Sequence, residues 1–157
     1  MTLVDEYRDA RRDEDVARLR RVLALRAMAA MGTSQRQIAE VLGISQPAVS
    51  QQLKFAPELS GVHPEVLLEA AAPVVKALAE ERGYRNLAVF GSVARREARD
   101  DSDIDLIVES PEGTSSFDFV AFKQLIERVV GREVDLIDYG GLKPRIDDDI
   151  RREAVLL

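Results

Sequence analysis

The chain contains no cysteine, no tryptophan and only one histidine among its 157 residues. Without cysteine there is no disulfide and no thiolate metal site, so a reducing compartment is the default. One histidine, His63, excludes a histidine-based catalytic cluster or a multi-histidine metal centre; next to Pro64 in a loop-like stretch, it reads as a surface residue. No apolar run approaches the roughly 20 residues that a membrane-crossing helix needs. The opening MTLVDEYRDARRDED is charged throughout and lacks the apolar core of a secretory signal. Together these absences predict a cytoplasmic protein.

What is present is ordinary in amount and uneven in placement. Hydrophobic residues make up 46% and charged residues 32%, which fits neither a disordered nor a membrane chain. The length suits one medium domain or two small ones, burying roughly 70% of the unfolded surface. The net charge of −6 divides sharply: residues 1–56 hold nine Lys/Arg against seven Asp/Glu, and the remainder holds 13 against 21. An acidic half suits cation-dependent carboxylate chemistry, and a mildly basic half can lie near phosphates. The split predicts two modules.

Residues 1–12 are polar and read as a short helix or an arm. From Asp15, the positions Val16, Leu19, Leu23, Ala27 and Ala30 recur at helical spacing up to Gly32. The arginines of this helix (Arg18, Arg20, Arg21, Arg26) read as a solvated face. Ser34 with Gln37 then makes a capping box, Ile38, Ala39 and Leu42 form a short apolar face, and Gly43 ends the helix. Ile44 plugs the turn, Ser45 caps a second helix with Pro47 in its first turn, and Val49 and Leu53 point it back at the first. This corner, TSQRQIAEVLGISQPAVSQQLKF, resembles the helix-turn-helix of bacterial DNA-binding repressors over about twenty residues. Its outward residues Gln46, Ser50, Gln51 and Lys54 suit adenine edges and phosphates of double-stranded operator DNA. A homodimer on two half-sites is expected, because one such corner gives little affinity.

Pro57, Ser60 and Gly61 mark a linker. Pro64 opens an amphipathic helix through Leu67, Leu68, Ala71, Val75 and Leu78, with Pro73 expected to kink or divide it. Further on, Ser110 to Gly113 is a turn and Phe117 to Val130 a helix, in which Phe117 and Phe122 are assigned to packing. Glu133 to Asp138 is a strand, and a last helix from Pro144 carries Ile146, Ile150, Ala154 and Val155 onto the sheet, with Asp147, Asp148 and Asp149 near its start.

The chemistry concentrates in residues 86–108, NLAVFGSVARREARDDSDIDLIV. A short apolar strand breaks at Gly91-Ser92, and after ten residues Asp103 and Asp105 enter a second apolar run. The period of two in a strand puts Asp103, Asp105 and Ile107 on one face and Ile104, Leu106 and Val108 on the other, toward a core. Two carboxylates forced together repel. A shared cation removes the conflict, and Mg²⁺ takes such oxygens together with substrate phosphates. A glycine after a strand lets backbone approach a ligand, and the Ser92 hydroxyl with the following N–H groups can hold phosphate oxygens. Asp135-Leu136-Ile137 repeats the order Asp105-Leu106-Ile107, so its carboxylate should share their face; Glu133 lies on that face too, and Asp138 should turn away.

The Gly91-Ser92 and Asp103-Ile104-Asp105 spacing resembles the signature of nucleotidyltransferases related to DNA polymerase β, and most closely their small bacterial branch, the minimal nucleotidyltransferases. Arg95, Glu97 and the Ser102-to-Leu106 string belong to the match; Arg96 departs from it, standing where that branch usually has glycine and where a side chain could narrow access to the nucleotide. The resemblance implies an Mg²⁺-dependent enzyme, with Asp103, Asp105 and Asp135 as catalytic metal ligands and Gly91, Ser92 and Arg95 toward ATP. Asp135 would complete a second metal position or act as base for an acceptor hydroxyl. It further implies an antitoxin that places AMP on a cognate toxin, a HEPN-type ribonuclease, and that represses its own operon. A toxin-type enzyme acting on tRNA, and a catalytically silent repressor that senses nucleotide, are the alternatives. The fold class expected is α+β: a helix-turn-helix domain over 1–56, a linker and connecting helix over 57–72, and a small mixed-sheet nucleotidyltransferase domain over 73–157.

Overall fold

A computed structural model describes residues 1–54, 56 and 58–157. Phe55, expected to end the second corner helix, and Pro57 of the linker lie outside the described residues.

The first element is longer than its apolar spacing announces. Helix α1 spans Leu3–Ala30, 28 residues, so there is neither an arm over 1–12 nor a start at Asp15. Thr2 and Asp5 form a capping box: the Thr2 hydroxyl accepts from the Asp5 N–H at 3.2 Å, and the Asp5 carboxylate accepts from the Thr2 N–H at 2.9 Å. The apolar stripe marks only the half of the helix that packs, and the exposed first half carries none. Farther along, Leu19, Leu23 and Ala27 join the main core, while Leu25 and Met28 pack beneath the corner formed by α2 (Gln35–Leu42) and α3 (Gln46–Lys54). One helix therefore serves two clusters.

Within the corner, Ile38, Ala39 and Val49 are buried as expected, Gly43 turns the chain at φ +69°, and Ser45 Oγ accepts from the Ala48 N–H at 3.1 Å. Leu42 and Ile44 are not inward: both are exposed, and Val41 beside them is 80% exposed. Among the described residues, α1 packs beneath this corner through Leu25 and Met28, and the turn side at Val41 to Ile44 is exposed.

Helix α4 (Pro64–Glu81) runs through Pro73 as one element and is not divided there. His63 is half-buried rather than a surface residue. Its Nδ1 accepts the Glu65 N–H at 3.2 Å and caps α4, which leaves Nε2–H to donate to the Ala98 carbonyl at 3.0 Å.

The sheet has four strands in the order β3-β2-β1-β4: β1 Arg85–Phe90, β2 Ile104–Glu109, β3 Val134–Asp138 and β4 Val155–Leu156. Strand β1 lies antiparallel to both β2 and β4, and β2 and β3 are parallel, joined by the crossover helix α6 (Ser116–Val130). Leu87, Val89, Ile104, Leu106, Val108 and Leu136 face the main core under α1, α4 and α6. Phe122 is fully buried there and stacks on Tyr84 at 4.1 Å; Phe117, by contrast, is 89% exposed, so the packing role holds for Phe122 alone. Arg26 is no solvated arginine: it donates to the carbonyls of Val129 at 2.9 Å and Arg128 at 2.7 Å, satisfying the open end of α6.

The opposite sheet face is covered only in part. Ala88, Phe90 and Ile107 pack there against Ile137, Tyr139, Leu142, Ile150 and Ala154. A single helical turn, α5 (Gly91–Ala94), follows β1, and the last helix, α7, is a six-residue element over Asp148–Glu153, not one from Pro144; Ile146 is exposed. Residues 144–147 form turns in which Arg145 takes φ +72°, a conformation that stops a helix. Val155 and Leu156 do not extend the helix but add the edge strand β4. Among the described residues no helix is long and apolar enough to cross a membrane.

Candidate active site

The partly covered face ends in a patch of acids, and its position follows from strand register. Asp105 is paired across β1 with Phe90 and across β3 with Asp135. Asp103 stands two residues before Asp105, on the same face and exposed at the mouth of β2. Asp135 is therefore the β3 acid beside Asp105. Glu133, its competitor in the sequence, stands one residue before β3 as Asp103 does before β2, but it is Asp135 whose charge acts on Asp105; Asp138 turns away to accept from the Ser110 N–H at 3.2 Å and the Gly140 N–H at 2.7 Å.

Gly91 follows Phe90 directly and opens the single helical turn α5. Glycine is required at this position on two counts. Its φ is +71°, and a Cβ built there would stand 2.1 Å from Asp105 Oδ2 and 2.9 Å from its Cγ. The carboxylate thus lies flat against bare backbone, and Ser92 follows half-buried beside it.

This crowding has an electrostatic consequence. Burial first, then the charge of Asp135, then that of Asp103, push the Asp105 carboxyl up from 3.8 to about 6; Arg95 opposes this and Glu153 adds to it. A second positive charge on the mouth of the site would relieve the repulsion. Among the described residues no group of three His, Cys, Asp or Glu side chains is placed to hold a metal ion, so Asp103, Asp105 and Asp135 do not form a three-carboxylate site. Mg²⁺, however, is held by one or two carboxylates plus substrate phosphates, and an open, all-oxygen donor set fits that habit.

Arg95 does not project freely. Its Nε donates to Glu97 at 3.2 Å and its Nη1 to Glu153 at 3.0 Å, and Glu153 also accepts from the Gly91 N–H at 2.5 Å. Arg96 takes φ +58°, a backbone conformation that glycine adopts without strain. Its side chain does not narrow the acid patch: it lines a cleft with Arg12, His63 and Glu69 to which none of the three acids contributes. Arg132 holds the return of the loop, donating to the carbonyls of Ser102 at 3.2 Å, Ser60 at 2.8 Å and Val62 at 3.1 Å.

Sequence reasoning missed Glu153, His63 and Arg132 as members or supports of this region. Each acts through a backbone group distant in the chain, and no local pattern marks such a bond. The residues read toward DNA lie elsewhere: Gln46, Ser50, Gln51 and Lys54 are all exposed on α3, which rests on α1 and α2.

Known proteins resemble the C-terminal part of the chain. The family model described as "Nucleotidyltransferase domain" matches residues 72–157. A Methanocaldococcus jannaschii protein named "Putative protein adenylyltransferase MJ0435" is 43% identical over 75 residues, covering 48% of this chain and 81% of that one. "Protein adenylyltransferase MntA" of Thermococcus cleftensis is 39% identical over 80 residues, covering 51% and 81% respectively. A solved structure described as "Structure of putative minimal nucleotidyltransferase" is 40% identical with a TM-score of 0.55, covering 59% of this chain and 95% of that one. With the glycine turn and all three acids inside the matched region, which is more than half of the sequence, this chain belongs to the nucleotidyltransferase family of enzymes.

Proposed function

We propose that the chain transfers AMP from ATP to a hydroxyl of a partner protein, and that the partner is a toxin, of the HEPN ribonuclease type, whose activity this modification silences. The observation that carries the reading is the register that sets Asp105 between the glycine turn and Asp135, with Asp103 on the same face. The names of the two relatives, "Putative protein adenylyltransferase MJ0435" and "Protein adenylyltransferase MntA", support the choice of a protein acceptor.

In this reading Asp103 and Asp105 hold Mg²⁺, which when bound neutralises the triphosphate and raises the electrophilicity of its α-phosphorus. Ser92 and the amides after Gly91 grip the outer phosphates, and Arg95 adds a guanidinium edge. Asp135 takes the proton of the acceptor hydroxyl as its oxygen bonds to the α-phosphorus, the bond to the bridging oxygen breaks, and pyrophosphate leaves. The corner of α2 and α3, with Gln46, Ser50, Gln51 and Lys54 outward, serves as a DNA reader that represses the chain's own operon, acting as a homodimer.

The test is to incubate the product of the adjacent gene with this protein, Mg²⁺ and each NTP in turn. Its mass should rise by one nucleoside monophosphate, with ATP the best donor, and Asp103→Asn should abolish the gain. Modification of tRNA instead would favour a toxin, and no modification of any acceptor would leave a silent repressor. Retarded migration of the upstream DNA, lost on Gln51→Ala with Ser50→Ala, checks the second activity.

A further inference from the structure

Glu153 is the acid at the glycine turn that belongs neither to the Gly-Ser/Asp signature nor to β3. It closes α7, whose neighbours Ile150 and Ala154 pack onto Phe90 and Ile107 and so bring the helix end beside Gly91. From there Oε1 accepts from the Gly91 N–H at 2.5 Å and from Arg95 Nη1 at 3.0 Å, while Oε2 accepts from the same Nη1 at 3.1 Å. Glu97 takes Arg95 Nε at 3.2 Å. Among the described residues, Arg95 Nη2 has no hydrogen-bond partner. A guanidinium is a rigid planar fork, so fixing Nε and Nη1 also fixes the direction of Nη2. The Glu153 side chain is 26% exposed and that of Arg95 47%, so it is the carboxylate end of the pair that is held in the protein.

We propose that Glu153 is a positioning residue for nucleotide binding: it clamps the Gly91 amide and aims the remaining Nη2 of Arg95 at the phosphates. The inference rests on reading Gly91, Ser92 and Arg95 as the triphosphate grip. An anion in this place has one other use, as a plug that phosphates must displace. A plug would tie up the whole fork, and here Nη2 is left over.

Calorimetric titration of Mg-ATP, with GTP, CTP and UTP in parallel, into the full chain tests it without an acceptor. Glu153→Ala should weaken binding about tenfold, the loss of a charge-assisted contact. Glu153→Gln keeps one carbonyl acceptor and should weaken it only about threefold. In an Arg95→Ala background the effect of Glu153→Ala should shrink, since much of it passes through Arg95. Unchanged affinity in Glu153→Ala, whatever its melting temperature, overturns the proposal, as does tighter binding, which is the signature of a plug, or full additivity with Arg95→Ala. If the wild-type chain itself binds no nucleotide, the triphosphate grip falls and this inference with it; if the wild type binds and the variant binds equally, Glu153 alone was misread.

Discussion

Replacing Asp105 by asparagine should make the protein more stable at neutral pH while removing its activity. The folded chain raises this carboxyl from 3.8 to about 6, chiefly through burial and then through Asp135 and Asp103. At 1.36 kcal/mol per pKa unit, the shift corresponds to an upper bound of about 3 kcal/mol. The group keeps contact with solvent, which screens the interaction, so about 1–2 kcal/mol is expected. The sign follows from proton binding: between the two pKa values the folded chain holds the proton and the unfolded chain does not. The stability conferred by the protonated carboxyl is therefore full below 3.8 and lost as pH rises through about 6. Asparagine does not ionise and suffers no such loss. Urea melts of both proteins in a series from about pH 4 to pH 8 should show curves that nearly meet at the acid end and part by about 1–2 kcal/mol at the other. Added Mg²⁺ should narrow the gap from the wild-type side, because a cation bound only by the folded chain stabilises it. An asparagine variant less stable than wild type at pH 8, or a gap that does not vary with pH, refutes the reasoning.

Three further variants follow from the same region. Gly91→Ala sets a methyl group on the Asp105 carboxylate and should reduce nucleotide transfer about a hundredfold or more, with the far-ultraviolet circular dichroism unchanged. Arg96→Gly relieves a left-handed residue at φ +58° and should raise stability by about 1 kcal/mol in urea melts, leaving transfer intact because the side chain lies in another cleft. Arg132→Met removes three bonds to carbonyls of the linker and the catalytic loop and should cost about 2–4 kcal/mol, read the same way.

The site was more legible than its frame. The period of a strand brought Asp105 and Asp135 to one face, and the observed register pairs them; the same period left Glu133 beside Asp135, and the family resemblance chose between the two. The core side of β2 was readable for the same reason, since Ile104, Leu106 and Val108 alternate with the acids. Other features had no such period. The exposed first half of α1 is set by a capping box and helix-forming polar residues, with no buried stripe to mark it. Strand β4 is two residues long, and its identity comes from pairing with Ala88 and Val89, not from its own sequence. Leu42 and Ile44 look like core residues by spacing, but burial also needs a covering element, and α1 covers only the other side. Glu153 was invisible because its partners, the Gly91 amide and Arg95, lie 62 and 58 residues away.

The central claim is that Asp103 and Asp105 hold a divalent ion against a nucleotide seated at Gly91-Ser92. Its most direct measurement is anomalous scattering from Mn²⁺ in crystals grown with a non-hydrolysable ATP analogue. The account predicts a peak at about 2.0–2.3 Å from oxygens of both carboxylates and from the phosphates. A metal bound elsewhere, or a nucleotide seated away from the glycine turn, would contradict it.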